Sequence, residues 1–275
     1  MLAAVAVVAI DRLMERRGLL PPLFHNEVRR IAASLLLFLT LWGTVFAAVG
    51  LLGTSTPVDF QAPPTPQLFV VHLILLATLA IWYGLGFVGR EVGAGVDPAR
   101  TSLPRQFGLR APSIATELGL GVLCGIAAWV VVLTILVGLG ALVWALGGED
   151  ALPQEAPPIV PWIASLPVVL RLAVSASAGF AEEFFFRGFL QPRVGVMLST
   201  ALFALAHLSY DQPTMLVGVT LLSLTFAWIV RWRQSIWAAI VAHAVFDAIQ
   251  LLVVIPWALR HLEPGGAELI AGWVW

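Results

Sequence analysis

The chain has 275 residues, of which 60% are hydrophobic and only 11% are charged, and its formal net charge is −1. A soluble domain carries about 25% charged residues, so this composition excludes an ordinary soluble protein and indicates a polytopic membrane protein. The small net charge argues against a nucleic-acid partner. The only cysteine, Cys124, cannot form an internal disulfide.

Apolar runs long enough to cross a bilayer recur along the chain. Residues 1–10 are also apolar but lack the basic n-region of a signal peptide. The sequence leaves open whether they insert into the membrane. The seven clear spans are Ile31–Leu52, Leu68–Val88, Ile114–Leu146, Ile159–Phe180, Val194–Leu208, Met215–Val230 and Ile236–Leu259. We therefore predict an all-α, polytopic membrane bundle of seven or eight transmembrane helices that forms a single membrane domain.

The segments between the spans alternate in arginine content. Arginines precede the first span and follow the second, fourth and sixth, whereas residues 54–66 and 147–158 contain none. The positive-inside rule places the arginine-bearing segments in the cytoplasm, and with them Glu182–Arg187 at the cytoplasmic end of its helix. All fifteen basic residues are arginine, which indicates a GC-rich bacterial genome and hence the inner or plasma membrane.

Two carboxylates and a guanidinium follow the fourth span in otherwise apolar sequence. Glu183 and Arg187 are four residues apart, so their side chains can pair on one helix face. Glu182 is rotated by about 100° and cannot share that face. The spacing therefore favours a structural role for Glu183 and leaves Glu182 free to point into a cavity. A solvated, charged helix end at the membrane surface is the alternative.

Two later helices also carry polar side chains in apolar surroundings. Phe203 lies one turn before His207 and can pack against its ring. The alternative is that His207, as a lone histidine in a membrane helix, is an interhelical hydrogen-bond partner. His243 and Asp247 are again four apart, which suits a carboxylate-oriented imidazole, two metal ligands, two groups aimed at a substrate or a self-satisfied polar pair. Polar groups in membrane helices usually face one another inside the bundle. There the two histidines and Asp247 would join Glu182 as the side chains of a hydrolytic active site.

Three further polar residues lie within apolar spans. We assign Glu117 and Arg171 to interhelical or interfacial contacts. His72 lies in the second span, no acidic residue is near it in sequence, and it receives no role.

The ordered motifs Glu-Glu-x-x-x-Arg, Phe-x-x-x-His and His-x-x-x-Asp resemble the CPBP family of intramembrane proteases (CAAX protease and bacteriocin-processing, or Abi). That family includes the Ras-converting CAAX endopeptidase. The resemblance covers about Ile159 to Trp257, so residues 159–257 are the expected catalytic core and residues 1–158 are less diagnostic membrane helices. It implies an endopeptidase that cleaves a peptide or a membrane protein beside membrane lipid.

The resemblance also implies a role for each motif residue. Glu182 is the general base, His207 helps to hold the water, and His243 stabilises the oxyanion with the fourth motif residue. The supporting residues are Glu183, Arg187 and Phe203. The Ras-converting branch carries Asn where this chain has Asp247. An ionised aspartate cannot donate to an oxyanion, so Asp247 is either protonated or orients His243.

The four catalytic residues, Glu182, His207, His243 and Asp247, also make a zinc-ligand set with an open position for water. We favour catalysis without a metal cofactor because no His-Glu-x-x-His motif occurs and the ligands would come from three helices. One alternative is a non-catalytic membrane chaperone or immunity-type protein. Another is a proton-coupled transporter, although such proteins usually have inverted repeats and none is visible in the sequence.

Overall fold

A computed structural model describes residues 1–19, 24, 26–53, 67–87, 102–148, 159–208 and 212–261. Within these ranges all regular structure is helical and there is no β-strand, which confirms the predicted all-α class. Several sequence features lie outside the described residues: the segments 54–66 and 149–158, His25, Arg90, Arg100 and Asp211.

The part of the chain that the structure describes contains eleven α-helices. In chain order they are α1 (Leu2–Arg16), α2 (Glu27–Gly53), α3 (Gln67–Phe87), α4 (Leu103–Gln106), α5 (Ile114–Gly147), α6 (Ile159–Ser165), α7 (Val168–Glu183), α8 (Gln191–Ala206), α9 (Pro213–Arg233), α10 (Trp237–Ile249) and α11 (Ile255–His261). Two π-helical segments, π1 (Phe184–Leu190) and π2 (Gln250–Val254), join α7 to α8 and α10 to α11.

Five helical segments of the described chain are long and apolar enough to cross a membrane. They are Leu68–Gly86, Ile114–Gly147, Val168–Ala206, Pro213–Arg233 and Trp237–Arg260. Helix α2 is comparably long, with 27 residues. Helix α1 is about 22 Å long at 1.5 Å per residue, short of the roughly 30 Å hydrocarbon core. The five long apolar segments show that the chain is an integral membrane protein.

The predicted end of the fourth span at Phe180 is wrong. Helix α7 continues through Glu183 into π1 and α8, so the charged motif lies within a helix and not at its end. The charges do not terminate the helix because neighbouring helices bury them. The backbone turns at Gly195, whose φ of 81° and ψ of 170° suit glycine. This turn lies next to the predicted start of the fifth span.

Close backbone packing holds α10 between α5 and α7. A Cβ atom added at Gly121 or Gly125 of α5, or at Gly179 of α7, would lie 2.7–2.8 Å from carbonyl oxygens of α10. Helices approach this closely in membranes where the facing residue has no side chain. The glycines thus bring the helix that carries His243 against the helix that carries the two glutamates.

Buried ion pairs connect the helices further. Arg193 of α8 lies 3.2 Å from Asp11 of α1, and burial raises the pKa of the Asp11 carboxyl, a shift that Arg193 opposes. The expected interhelical contacts of two other residues are present. Glu117 accepts hydrogen bonds from the Arg233 guanidinium at 2.6 and 3.1 Å, and Arg171 donates to the carbonyl oxygen of Leu251 at 2.8 Å.

Candidate active site

The first motif lies where α7 widens into π1. Ser199 Oγ donates to the carbonyl oxygen of Phe186 at 2.9 Å. Arg193 Nη1 donates to that of Phe189 at 2.6 Å. These side chains satisfy carbonyl groups of the widened turn. Single π-helical turns are frequent at functional sites, and this one directly follows the two glutamates.

Glu183 is the centre of a buried polar network. Its Oε1 atom accepts a hydrogen bond from Arg187 Nη1 at 2.8 Å and lies 2.9 Å from His243 Nδ1. The exposed fractions of the Glu183 and Arg187 side chains are 0% and 1%. The ion pair expected from the i, i+4 spacing is therefore present, and the alternative of a solvated helix end is wrong.

The contact with Glu183 fixes the proton on one nitrogen of His243. An ionised carboxylate only accepts hydrogen bonds, so Nδ1 donates and Nε2 is left to face Asp247 Oδ2 at 3.5 Å. The ring stacks on Phe226 with centroids 4.9 Å apart. His243 and Asp247 are thus not a self-satisfied pair, because the stronger contact of the imidazole is to Glu183.

Glu182 points to a different face of the helix from Glu183, as its 100° rotation predicts. Its Oε1 atom lies 3.6 Å from His72 Nε2, and its Oε2 atom lies 4.0 Å from His207 Nε2. The side chain is 12% exposed. Oε2 is buried and receives no hydrogen bond from the described residues. A buried carboxylate oxygen without a donor is costly, which makes this atom a candidate for chemistry.

His207 is held by the backbone of its own helix. Its Nδ1 atom lies 2.7 Å from the carbonyl oxygen of Phe203. A carbonyl only accepts, so Nδ1 donates and a neutral ring presents the lone pair of Nε2 towards Glu182. The Phe203 ring packs against the His207 ring, with their centroids 4.5 Å apart. The Arg187 guanidinium lies 4.4 Å from the Phe203 ring centroid, so this phenylalanine contacts both Arg187 and the histidine.

The structure brings together every residue predicted from the three motifs: Glu182, Glu183, Arg187, Phe203, His207, His243 and Asp247. Two neighbours were not predicted. His72 comes from α3 and is more than a hundred residues from Glu182, so no local pattern in the sequence could reveal their contact. Phe226 of α9 is one of many apolar residues of that helix.

The zinc-ligand set considered above does not fit this geometry. Among the described residues, no group of three or more His, Cys, Asp or Glu side chains is arranged to hold a metal ion. We therefore derive no catalytic step through a metal.

Residues 164–249 match the family model described as type II CAAX prenyl endopeptidase Rce1-like. All three motifs lie inside this range, which confirms the resemblance that they indicated. The uncharacterized protein YpbD of Bacillus subtilis (strain 168) is 30% identical over 86 residues, which are 31% of this chain and 44% of that relative. The alignment thus covers less than half of the relative. No solved structure matches the chain.

Proposed function

We propose that the chain is an intramembrane endopeptidase that hydrolyses a peptide bond with a water activated by Glu182 and His207. One observation carries this proposal: Glu182 Oε2, buried and without a hydrogen bond from the described residues, faces His207 Nε2 at 4.0 Å. A water that contacts both atoms would have a base within hydrogen-bond reach. The match to a family of endopeptidases supports the same reaction class.

The proposed reaction needs one proton acceptor that later becomes a donor. Glu182 takes a proton from the water while the water oxygen bonds to the peptide carbonyl carbon, and the carbonyl electron pair moves to its oxygen. The tetrahedral oxyanion then collapses and the C–N bond breaks. Glu182 returns its proton to the leaving nitrogen, which departs as an amine. The products are a new carboxyl end and a new amino end, and Glu182 is again ionised.

His243 is the proposed donor to the oxyanion. Because Nδ1 is bound to Glu183, Nε2 is the ring nitrogen that can face the substrate. A proton placed on Nε2 or on the Asp247 carboxyl gives the pair one donor for the developing charge, which removes the difficulty of an ionised aspartate at this position. Preset donors of this kind lower a barrier by about 3–4 kcal/mol.

Catalysis without a metal cofactor is part of the proposal. We expect purified protein to contain no stoichiometric zinc and to keep its peptidase activity after treatment with a strong chelator. Elemental analysis before and after chelation tests this. One zinc per chain, with activity lost on its removal and regained on its return, would contradict it.

The proposed substrate is a peptide or the tail of a membrane-associated protein. Arg187 and Arg193 lie inside buried helical segments, so the proposed placement of the active site towards the cytoplasmic side of a bacterial inner membrane rests on the other arginine-bearing segments. A substrate would then approach from that side or laterally from the lipid.

Substrate trapping tests the function. The Glu182→Gln variant keeps the size of the side chain but cannot accept a proton as a carboxylate does, so it should retain bound substrate without cutting it. Mass spectrometry should find intact polypeptides on the variant and matching cleaved termini with the wild type. A wild type that cleaves nothing it captures would favour the chaperone or immunity-type alternative. Proton-coupled flux in liposomes would favour the transporter.

A further inference from the structure

His72 of α3 is a buried ionisable side chain that the proposed mechanism does not use. The residue is 8% exposed and lies near the beginning of an apolar membrane helix. Its Nε2 atom is 3.6 Å from Glu182 Oε1. Its Nδ1 atom is 2.9 Å from Ser177 Oγ. Ionisable residues in such surroundings are costly and usually functional.

The two oxygens of Glu182 face two different imidazoles. Oε1 faces His72 on α3, whereas Oε2 faces His207 after α8. A carboxylate held at one oxygen keeps the other in a fixed direction. The orientation of the proposed base therefore depends on a helix outside the matched range, residues 164–249.

We infer that His72 is a positioning residue that holds Glu182 Oε1, so that Oε2 is directed at the water beside His207. The inference rests on the proposed function, because it explains how the general base of that reaction is oriented. It adds a residue from the N-terminal half to a site whose motifs all lie in the C-terminal half.

Ser177 sets the orientation of the His72 ring. Its hydroxyl lies 2.9 Å from His72 Nδ1 and 3.0 Å from the carbonyl oxygen of Val174, and it has one proton to donate. Beside an ionised Glu182, the favoured tautomer carries its proton on Nε2, and the hydroxyl then donates to Nδ1. The chain of contacts thus runs from Ser177 through His72 to Glu182.

The 3.6 Å separation is longer than a hydrogen bond. Catalytic hydrogen bonds are often long in a free enzyme and shorten when substrate binds. Ser177 and Glu182 belong to the same helix, α7, about one and a half turns apart. His72 consequently contacts α7 at two levels, and the inferred hydrogen bond from Nε2 to Oε1 forms if this distance shortens when substrate binds.

Kinetic analysis of His72 variants separates positioning from a purely structural role. A misplacement of a catalytic group by about 1 Å can cost 10²-fold in rate. We expect His72→Ala to lower kcat by roughly that factor with little change in KM. His72→Gln keeps an amide donor near Nε2 and should recover most of the loss. Ser177→Ala leaves the ring but removes its partner, and should lower kcat by a smaller factor.

Thr78→Val is the matched control on α3. It removes a buried hydrogen bond to Thr40 (2.8 Å) without touching the site, so kcat should stay at the wild-type value. Thermal unfolding of each variant verifies that it is folded. If His72→Ala does not fold, Ser177→Ala and His72→Leu, which fills the space but offers no donor, decide: wild-type kcat in both would overturn the inference.

The outcomes for the inference and for the proposed function are distinguishable. Wild-type kcat in folded His72→Ala, with Glu182→Gln inactive, would overturn the role of His72 and leave the peptidase assignment standing. Full activity in Glu182→Gln would instead overturn the proposed base, whatever the His72 variants do.

Discussion

Glu182 and Glu183 are adjacent in sequence but have different surroundings. Glu183 has no exposed surface and contacts a guanidinium and an imidazole N–H through one oxygen. Glu182 is flanked by two histidines at longer distances. Charge and hydrogen bonding therefore fix Glu183 in place. The second oxygen of each carboxylate is buried without a hydrogen bond from the described residues, but that of Glu182 lies 4.0 Å from His207 Nε2 and is the proposed site of proton transfer.

This difference predicts that the same substitution lowers stability at Glu183 but not at Glu182. Glu183→Gln would leave the buried Arg187 without its counter-charge, and breaking a buried pair in this way costs about 3–5 kcal/mol. Glu182→Gln removes no ion pair of comparable length and should unfold near the wild-type temperature. Thermal unfolding in the same detergent measures both. Equal unfolding temperatures for the two variants would contradict the structural role of Glu183.

The pairing of Glu183 with Arg187 could be predicted because helical spacing is a local property. The i, i+4 relation selects Glu183 as the partner of Arg187 whatever the rest of the fold does. The bond from Glu183 to His243 joins residues that are 60 positions apart, and the contact of Glu182 with His72 joins different halves of the chain. Such contacts depend on the packing of helices, which spacing within one helix does not reveal.

At the level of elements, α10 positions His243 only because α5 and α7 present glycines to it. A Cβ at Gly121 would lie 2.5 Å from Val241 Cβ and 2.8 Å from the carbonyl oxygen of Ala238. The backbone cannot give way as a flexible side chain can. A side chain here must push the two helices apart.

We therefore expect Gly121→Ala to lower both stability and activity. Overpacking of a close contact costs about 1–3 kcal/mol, and the displacement should carry His243 away from Glu183. Gly119→Ala, on the same helix, is the matched control, since a Cβ atom there would meet nothing within 4 Å. Unfolding temperature and kcat should change in the first variant only. An unaltered Gly121→Ala protein would contradict the close packing of α5 and α10.

The helices were predicted better than their ends. The length of an apolar run locates the long spans well, because a run of about 20 apolar residues is typical of a helix that crosses the membrane. The end of the fourth span was misplaced because charged residues were taken to mark the membrane surface. Burial against neighbouring helices permits Glu183 and Arg187 inside α7 and π1, and hydropathy carries no information about those neighbours.

For the whole molecule, the two halves of the chain meet at several buried polar contacts. Asp11 pairs with Arg193, His72 faces Glu182, and Glu117 pairs with Arg233. Each contact joins residues before position 148 to residues after position 159. The match to the endopeptidase family covers only the second part, whereas the site draws on both.

This arrangement predicts that neither half is sufficient alone. A fragment from residue 159 onwards should be unstable or inactive, because Arg193 and Arg233 would lose their buried or partly buried counter-charges. Co-expression of residues 1–148 with residues 159–275 should restore activity if the buried contacts reassemble in the membrane. Co-purification and peptide cleavage provide the measurement. A fully active second fragment would contradict the contribution of the first half.

The most direct measurement is peptide hydrolysis by wild type and Glu182→Gln in the same lipid, with a substrate identified by trapping. General-base catalysis contributes about 10²–10⁴-fold, so we predict a loss of kcat of that size in a variant that remains folded. A folded Glu182→Gln protein that cleaves within a few-fold of the wild-type rate would contradict the assignment of Glu182 as the base.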